Sequence, residues 1–337
     1  MVPSPRERVL LSLQRKSVDS VPVTCVNQTA TLDQMNSIQV FWPEAHVDPS
    51  KMAKLAEVAY MATGLETARV PYDQTVEAEA LGCKIRMGRK DEIPSVVSTP
   101  FKEPEDIEVP KDLLGRGRIP AVIQAVKILR NDVGGQLPIM AGIVGPFTLG
   151  SLLIGVSNFL YWTLKFPEKV KVVVSSAMSI AIEYGKALLE AGADVIVIED
   201  MSASTDMISP KMFDEYAKPP LKMVFNQLKG IKVLHICGNA NLIIDKMIET
   251  KPEAISVGFQ TDIGKAKEIA KGQVAIVGNL DPVKILLQAT PQEIEEHSIK
   301  ALEAEVDLLA PGCSLAPATP TINIKNMVET AKTFKRS

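Results

Sequence analysis

Residues 193–200 of the sequence read ADVIVIED, a short run of mostly β-branched side chains that ends in two acidic residues. A run that is apolar almost throughout is typical of a parallel strand buried on both faces. Further runs of this kind occur along the whole chain. They are VPVTCVN from Val21, ETARVPY from Glu66, LPIMAGIVG from Leu137, KVLHICG from Lys232, EAISVG from Glu253, QVAIVGN from Gln273 and VDLLAPG from Val306.

Longer stretches with helical periodicity lie between these runs. The predicted helices cover residues 51–62, 118–132, 166–191, 209–229, 240–250, 262–271, 291–304 and 323–335. Strands that are each followed by a helix favour a (β/α)8 TIM barrel over an open, doubly wound sheet. We therefore predict an α/β protein with a single barrel domain over residues 1–337 and a helical extension ahead of the first strand.

Residues 73–117 form a segment that is too long for an ordinary strand-to-helix loop. The segment follows the second predicted strand, on the face where barrels carry their chemistry. We expect it to be an inserted cap over the functional site. A peripheral decoration of the barrel is the alternative.

The composition excludes several classes of partner. The formal net charge is only −3, and lysine and arginine are spread along the chain, so we expect no nucleic-acid partner. The most apolar stretch, VVVSSAMSIAIEYGKALLEAGA, is interrupted by Glu183 and Lys186, so we expect no membrane span. The first residues lack the uninterrupted apolar core of a signal peptide, which predicts a cytoplasmic location.

The most informative pattern is His235-Ile236-Cys237 at the end of the fifth predicted strand, with Cys313 in the turn after the eighth. Residues two apart in a strand point to the same side, so His235 and Cys237 can converge on one ion. Cys313 can join them because all the carboxyl ends of barrel strands surround one mouth. These three residue types are typical zinc ligands.

Two cysteines and one histidine favour a catalytic zinc ion with an open position over a closed structural site, which would take a fourth strong ligand. Each residue also has an ordinary structural explanation, because buried cysteines commonly fill small apolar spaces. Cys25, which lies within the first predicted strand, is expected to be such a filler. The joint placement of the other three residues at strand ends favours the metal site.

Several segments of the chain resemble the uroporphyrinogen decarboxylase superfamily. They are RERVLLSLQRKSVDSVPV from Arg6, GPFTLGS from Gly145, AGADVIVIED from Ala191, VLHICGN from Val233, VGNLDP from Val277 and LLAPGCSLAP from Leu308. WPEAH from Trp42 and VPYDQTVEAEALGCKIRMG from Val70 resemble one branch of it, the methylcobamide:coenzyme M methyltransferases of methanogenic archaea. The resemblance covers nearly the whole chain.

This resemblance implies a TIM barrel, one zinc ion per chain, coenzyme M as methyl acceptor, and a methylcobamide supplied by a separate methylated corrinoid protein. Decarboxylases of the superfamily bind a polycarboxylate with an arginine-rich segment after the first strand, whereas CVNQTATLDQM from Cys25 contains no arginine. Methyl transfer is therefore the expected activity. The alternatives are a decarboxylase or lyase of this type, and a protein that binds zinc or the corrinoid protein without turnover.

Glu199 and Asp200 end the fourth predicted strand, beside the strand that carries His235. A carboxylate there could orient the imidazole, serve as a labile fourth ligand or take the thiol proton. We therefore predict catalytic roles for both residues. A helix cap or a solvated turn is the alternative for each of them.

The remaining predicted contacts are to substrate. Tyr72, Asn279 and Gln28 follow other strands and are expected to line the mouth, with core packing or turn formation as the alternative. Backbone N–H groups near Gly238 and Gly312 are expected to bind the sulfonate of coenzyme M. His46 and His297, in a loop and a surface helix, receive no role.

Overall fold

The computed structural model describes residues 3–335. Parallel strands of one sheet follow the order β1-β4-β5-β6-β7-β8-β9, and β2 pairs with β3 in a separate antiparallel hairpin. The strands are Ala68–Val70 (β1), Lys84–Arg86 (β2), Ser95–Ser98 (β3), Ile139–Val144 (β4), Val195–Glu199 (β5), Ile231–Ile236 (β6), Ala254–Val257 (β7), Ala275–Leu280 (β8) and Leu308–Pro311 (β9).

The segment around Val23 closes this sheet into a barrel. Val23 forms a parallel bridge with Leu309 of β9, and the Thr24 N–H donates to the Leu309 carbonyl at 3.0 Å. On the other side, the Glu66 N–H donates to the Val23 carbonyl at 2.8 Å, immediately before β1. The predicted (β/α)8 TIM barrel is therefore confirmed, with its first strand reduced to a single bridge beside Pro22, which has no N–H to donate.

The helices form the outer layer of the barrel. They are Pro5–Leu13 (α1), Leu32–Ile38 (α2), Pro49–Thr63 (α3), Val76–Ala80 (α4), Ile119–Asp132 (α5), Pro146–Ile154 (α6), Val156–Lys165 (α7), Pro167–Ala191 (α8), Pro210–Met212 (α9), Lys218–Gln227 (α10), Ile244–Glu249 (α11), Ile263–Ala270 (α12), Pro291–Glu303 (α13) and Thr321–Thr333 (α14). All the predicted helices are present, and a π-helical turn at Phe213–Ala217 joins α9 to α10.

Several helix boundaries follow from local capping. At α1, the Ser4 hydroxyl accepts from the Glu7 N–H while the Glu7 carboxylate accepts from the Ser4 N–H, and Pro5 occupies the first turn. Asp48 caps the start of α3, and Gly64, with φ +84°, ends it in the left-handed conformation.

Four helices, α2, α4, α6 and α7, were not predicted from the sequence. In α6, every residue except Leu152 is buried. A helix that is buried on nearly all sides has no polar face, so its sequence shows no amphipathic period. The other three are short, at seven, five and ten residues.

The barrel interior is filled by an apolar cluster that α1 completes. Inward-facing side chains such as Met140, Val197 and Val233 pack with Val9 and Leu13 of α1. The Arg6 N–H donates to the Gln136 carbonyl just before β4, which places α1 at the amino-terminal ends of the strands. The predicted helical extension therefore closes the bottom of the barrel.

Helix α8 is long and apolar enough to cross a membrane by length and composition, and α6 with α7 would pass the same test as a pair bent by 110°. Half of the most apolar stretch of α8 is buried. Its buried side chains, including Val173, Ala177 and Tyr184, belong to the main core of the barrel. The apolar composition of α8 is therefore explained by its position in the helical layer.

The segment 73–117 contains α4 and the β2–β3 hairpin. Its first residues reach the upper end of the barrel, where the Val144 N–H donates to Glu77 at 2.8 Å. Further along, the Thr99 hydroxyl donates to the Leu153 carbonyl, and Glu103 pairs with Lys169 of α8. The segment is thus attached to α6 and α8, and its role as a cap stays a prediction.

A buried ion pair fastens the two ends of this segment. Arg118 contacts Asp73 through both terminal nitrogens, at 2.7 and 3.1 Å, and both side chains are almost completely buried. His46 Nδ1 lies 3.3 Å from Asp73, and its ring stacks on Trp42. His46, which was expected in a loop without a role, is therefore a buried part of this network.

The surroundings of Asp73 act on its pKa in opposite directions. Burial would raise the pKa, but the contact with His46 and the charge of Arg118 hold it well below its ordinary value. A carboxyl group whose pKa is lowered by folding stabilises the fold above its unfolded pKa of roughly 3.9, and this contribution is lost as the pH falls.

We predict that Arg118→Gln lowers the free energy of unfolding by about 3–5 kcal/mol, because the buried Asp73 carboxylate loses its arginine partner. The matched control is Arg116→Gln, whose side chain is 46% exposed and pairs with an exposed Asp112. This control should lose no more than about 1 kcal/mol. Urea unfolding at pH 7 measures the free energy of unfolding of both variants. The difference in this free energy between Arg118→Gln and the wild type should become smaller below about pH 4. Equal losses in the two variants would contradict the role of the buried pair.

Candidate metal centre

His235, Cys237 and Cys313, together called the His-Cys-Cys cluster below, meet at the carboxyl ends of the strands. Their ligand atoms all lie within 4.8 Å of one another. His235 belongs to β6, Cys237 follows that strand, and Cys313 follows β9. The structure brings the three side chains together as their spacing predicted, and their role as metal ligands stays a prediction.

The two ring nitrogens of His235 have different surroundings. Nδ1 lies 3.0 Å from the Ser256 hydroxyl oxygen, and both residues are completely buried. Nε2 is also buried, and it has no hydrogen-bond partner among the described residues. Since a buried polar atom is normally paired, Nε2 is a candidate ligand atom.

The two thiols act on each other's pKa. The hydrogen bond from Cys237 lowers the pKa of Cys313 well below its ordinary value, and His235 acts in the same direction. The same hydrogen bond and burial raise the pKa of Cys237. The lowered pKa of Cys313 favours its thiolate, the form of cysteine that binds metals.

Gly238 and Gly312 are required by close packing around the cluster. Gly238 has φ +80°, and a Cβ atom there would lie 2.4 Å from an Asp206 carboxylate oxygen. A Cβ atom on Gly312 would lie 2.7 Å from the backbone nitrogen of Phe259. The Gly312 N–H itself donates to the Leu280 carbonyl at 2.7 Å, and sulfonate binding by backbone N–H groups near Gly238 and Gly312 stays a prediction.

Glu199 is held by three donors inside the barrel and is 2% exposed. Oε1 accepts from the Asn27 amide at 2.9 Å and from the Arg69 guanidinium, and Oε2 accepts from the Gln74 amide at 2.7 Å. Glu199 and His235 are register neighbours on β5 and β6. The ring nitrogen that Glu199 was expected to orient is bonded to Ser256 instead, which corrects that part of the prediction.

Arg69 is a residue of the site that the sequence analysis missed. It is 1% exposed and also donates to the Val26 carbonyl at 3.1 Å. Gly142 on β4 makes room for it, because a Cβ atom there would lie 2.1 Å from the guanidinium. The signal that could have revealed Arg69 is a charged residue within the strand run ETARVPY.

Asp200 donates its backbone N–H to the His235 carbonyl at 3.0 Å, while its side chain lies at the amino terminus of α6. Its Oδ1 accepts from the Thr148 N–H at 2.7 Å, and the residue is completely buried. Burial raises its pKa to about 6, although hydrogen bonds from Thr148 and Phe147 oppose the shift. These are the contacts of a helix cap, which was the alternative to a catalytic role.

The three predicted substrate contacts hold loops or fill the core. The Tyr72 hydroxyl donates to the Met52 carbonyl at 2.6 Å, and the completely buried side chain has the surroundings of the core-packing alternative; a substrate contact of Tyr72 stays a prediction. The Gln28 amide donates to the Leu315 carbonyl at 2.7 Å, which fixes the loop after Cys313. The Asn279 amide donates to Gly258 and Thr261 carbonyls, at 2.9 and 2.7 Å.

Asn279 also lines a cavity of about 480 Å³ between the loops after β7 and β8 and helix α13. A substrate contact of Asn279 or Gln28 stays a prediction. Cys25 is completely buried, its thiol contacts the Asn27 carbonyl at 3.6 Å, and burial raises its pKa to about 12. These are the surroundings of the buried filler that the sequence predicted.

We predict that Asp200→Asn changes the pH dependence of stability. In the wild type, the stabilisation from protonated Asp200 is present below roughly pH 4 and is lost as the pH rises through about 6, because folding raises this pKa. The variant lacks this loss. Its free energy of unfolding, compared with that of the wild type at the same pH, should therefore be roughly 3 kcal/mol more favourable at pH 8 than at pH 4, since one pKa unit corresponds to about 1.4 kcal/mol. Urea unfolding across this range measures the difference. If the free energies of unfolding of the wild type and Asp200→Asn change with pH in the same way, Asp200 is not held in an apolar environment.

Comparison with known proteins identifies the family. The family model described as uroporphyrinogen decarboxylase (URO-D) matches residues 4–334. The chain is 41% identical over 325 residues to the methylcobamide:CoM methyltransferase MtaA of Methanosarcina barkeri, covering 96% of both chains. It is 39% identical over 336 residues to the methylcobamide:CoM methyltransferase MtbA of Methanosarcina acetivorans, covering 98% of both.

A solved structure, a methyltransferase from Methanosarcina mazei, superposes with a TM-score of 0.95 at 40% identity and covers 98% of both chains. The resemblance inferred from the sequence segments is thus confirmed over nearly the whole length. The chain belongs to the uroporphyrinogen decarboxylase family, in the branch that contains the methylcobamide:CoM methyltransferases.

Proposed function

We propose that this protein transfers a methyl group from a methylated corrinoid protein to the thiol of coenzyme M, with one zinc ion held by His235, Cys237 and Cys313. The observation that carries the proposal is the convergence of these three ligand atoms within 4.8 Å at the mouth of the barrel. Relatives of nearly equal length that are named methylcobamide:CoM methyltransferases support the choice of substrates.

The donor atoms fit a catalytic zinc ion. One imidazole nitrogen is buried without a hydrogen-bond partner among residues 3–335, and the pKa of the Cys313 thiol is lowered, which favours the thiolate that a metal ion binds. Among residues 3–335, the cluster contains no fourth histidine, cysteine or carboxylate donor. Three protein ligands leave one coordination position for substrate, as in other catalytic zinc sites.

Zinc bound there would supply positive charge that favours the thiolate form of coenzyme M. The acceptor sulfur then attacks the methyl carbon, so that a sulfur–carbon bond forms, the cobalt–carbon bond breaks and its electron pair remains on cobalt as Co(I). The thiol proton passes to solvent. Cys237, Cys313 and His235 position the acceptor, while the Glu199–Arg69 pair keeps the adjacent interior electrically balanced.

The methyl donor must approach from the loops that follow β5 to β8, called the rim loops (residues 200–209, 237–243, 258–262 and 281–290). Hydrogen bonds join the first three of them: the Thr205 N–H donates to the Asn239 carbonyl, and the Asn241 side-chain amide donates to the Gln260 carbonyl. Each rim loop carries an exposed apolar side chain: Met207, Leu242, Phe259 and Val283. A connected, partly apolar rim supports docking of a corrinoid protein over the mouth.

Two alternatives remain open to direct test. A decarboxylase or lyase of the same family is disfavoured because the interior arginine, Arg69, is paired with Glu199. A zinc-binding or corrinoid-binding protein without turnover would bind metal and show no methyl transfer. A cytoplasmic location, expected from the sequence, stays a prediction.

We predict that purified protein contains one zinc ion per chain and that His235→Ala, Cys237→Ser and Cys313→Ser each lose most of it while remaining folded. The fold should survive because the barrel core lies below the cluster. Elemental analysis and circular dichroism measure the two properties. Cys25→Ser is the matched control, because this buried cysteine already has a backbone partner, and it should keep its zinc. Full zinc content in Cys313→Ser would remove that residue from the site.

We predict that zinc-loaded protein demethylates free methylcobalamin in the presence of coenzyme M, with release of Co(I) detected by absorbance. Glu199→Gln should lower kcat/KM about tenfold to a hundredfold at unchanged zinc content, because it weakens the contacts with Arg69 and Asn27 next to the cluster. Asp200→Asn, which alters only the cap of α6, is the comparison and should change kcat/KM much less. No demethylation by the wild type with any of a panel of thiols would overturn the proposed function.

A further inference from the structure

We propose that Ser256 is the positioning residue that determines which ring nitrogen of His235 faces the metal. The inference rests on the proposed metal site and goes beyond it by fixing the tautomer of the histidine. Ser256 lies on β7 directly beside His235 on β6, since the two are register partners in the parallel ladder. Their side chains therefore emerge on the same side of the sheet, and Oγ lies 3.0 Å from Nδ1.

The contact leaves a single nitrogen for a ligand. A neutral imidazole carries its proton on one nitrogen and a lone pair on the other, and the metal takes the lone pair. Nδ1 is occupied by Ser256, and Nε2 has no hydrogen-bond partner among residues 3–335. When Nε2 binds a metal ion, the proton must be on Nδ1, and the Ser256 oxygen accepts it.

A hydroxyl group suits this position for a second reason. It can donate to Nδ1 before the metal binds and accept from Nδ1 afterwards, so the imidazole is hydrogen-bonded in both states. The carboxylate on the opposite side, Glu199, is already bonded to Asn27, Arg69 and Gln74. Ser256 is therefore the side chain whose contact orients the imidazole, and it does so without adding a charge.

The first test is zinc affinity, measured by competition with a chelator. Ser256→Ala should weaken zinc binding about tenfold to a hundredfold, which is typical for loss of a group that orients a metal ligand. Ser256→Thr keeps the hydroxyl and should bind zinc nearly as tightly as the wild type. The matched control is Ser298→Ala, because Ser298 is equally buried and its hydroxyl donates within α13, to the Ile294 carbonyl at 2.7 Å. This variant should keep wild-type zinc affinity.

The second test is nitrogen NMR of the wild type loaded with ¹¹³Cd in place of zinc, which needs no variant to fold. The chain has only 3 histidines, so the imidazole signals can be assigned. We expect cadmium coupling to Nε2 of His235 and a protonated Nδ1. Coupling to Nδ1, or equal zinc affinity in Ser256→Ala and the wild type, would overturn the proposal while leaving the metal site intact. A wild type that binds neither metal would overturn the metal site itself, and this proposal with it.

Discussion

Closure of the barrel by the backbone hydrogen bonds between the Val23 segment and β9 is the constraint on which the rest of the structure depends. His235 lies on β6 and Cys237 directly follows that strand, while Cys313 comes after β9, with β7 and β8 between these strands in the sheet. In an open, twisted sheet, strand ends so far apart would diverge. Curvature and closure turn the same ends toward one axis, so the cluster depends on contacts made far from it in sequence.

The sequence predicted the parts of the site that follow from the order of strands. The His-x-Cys pattern and the distant cysteine stand at strand ends, and the barrel required them to meet. Sequence reasoning missed Ser256, a lone serine in the apolar run EAISVG, because its importance depends on lateral register with β6. It left a structural alternative open for Asp200 and Tyr72, because a strand end does not reveal toward which side the next residue turns. Both point into helical packing.

Two buried carboxylates around the upper end of the barrel are each paired with a buried arginine. Glu199 pairs with Arg69, and Asp73 pairs with Arg118, so that neither carboxylate is left alone in surroundings of low polarity. The His-Cys-Cys cluster differs, because its two sulfurs and one imidazole are grouped without an arginine or lysine. A cation bound at the cluster would supply the positive charge that arginine supplies beside Glu199 and Asp73.

The position of α1 has a consequence for the order of events in the proposed reaction. Val9 and Leu13 fill the amino-terminal end of the barrel, and the layers of valine above them are packed. Within residues 3–335, the path to the cluster therefore runs from the opposite end. The small thiol and the bulky corrinoid use the same entrance. Once the corrinoid is bound, the thiol can no longer enter, because the larger molecule covers its path. Bisubstrate kinetics should accordingly be of compulsory order, with the thiol entering first and the methylated thiol leaving last.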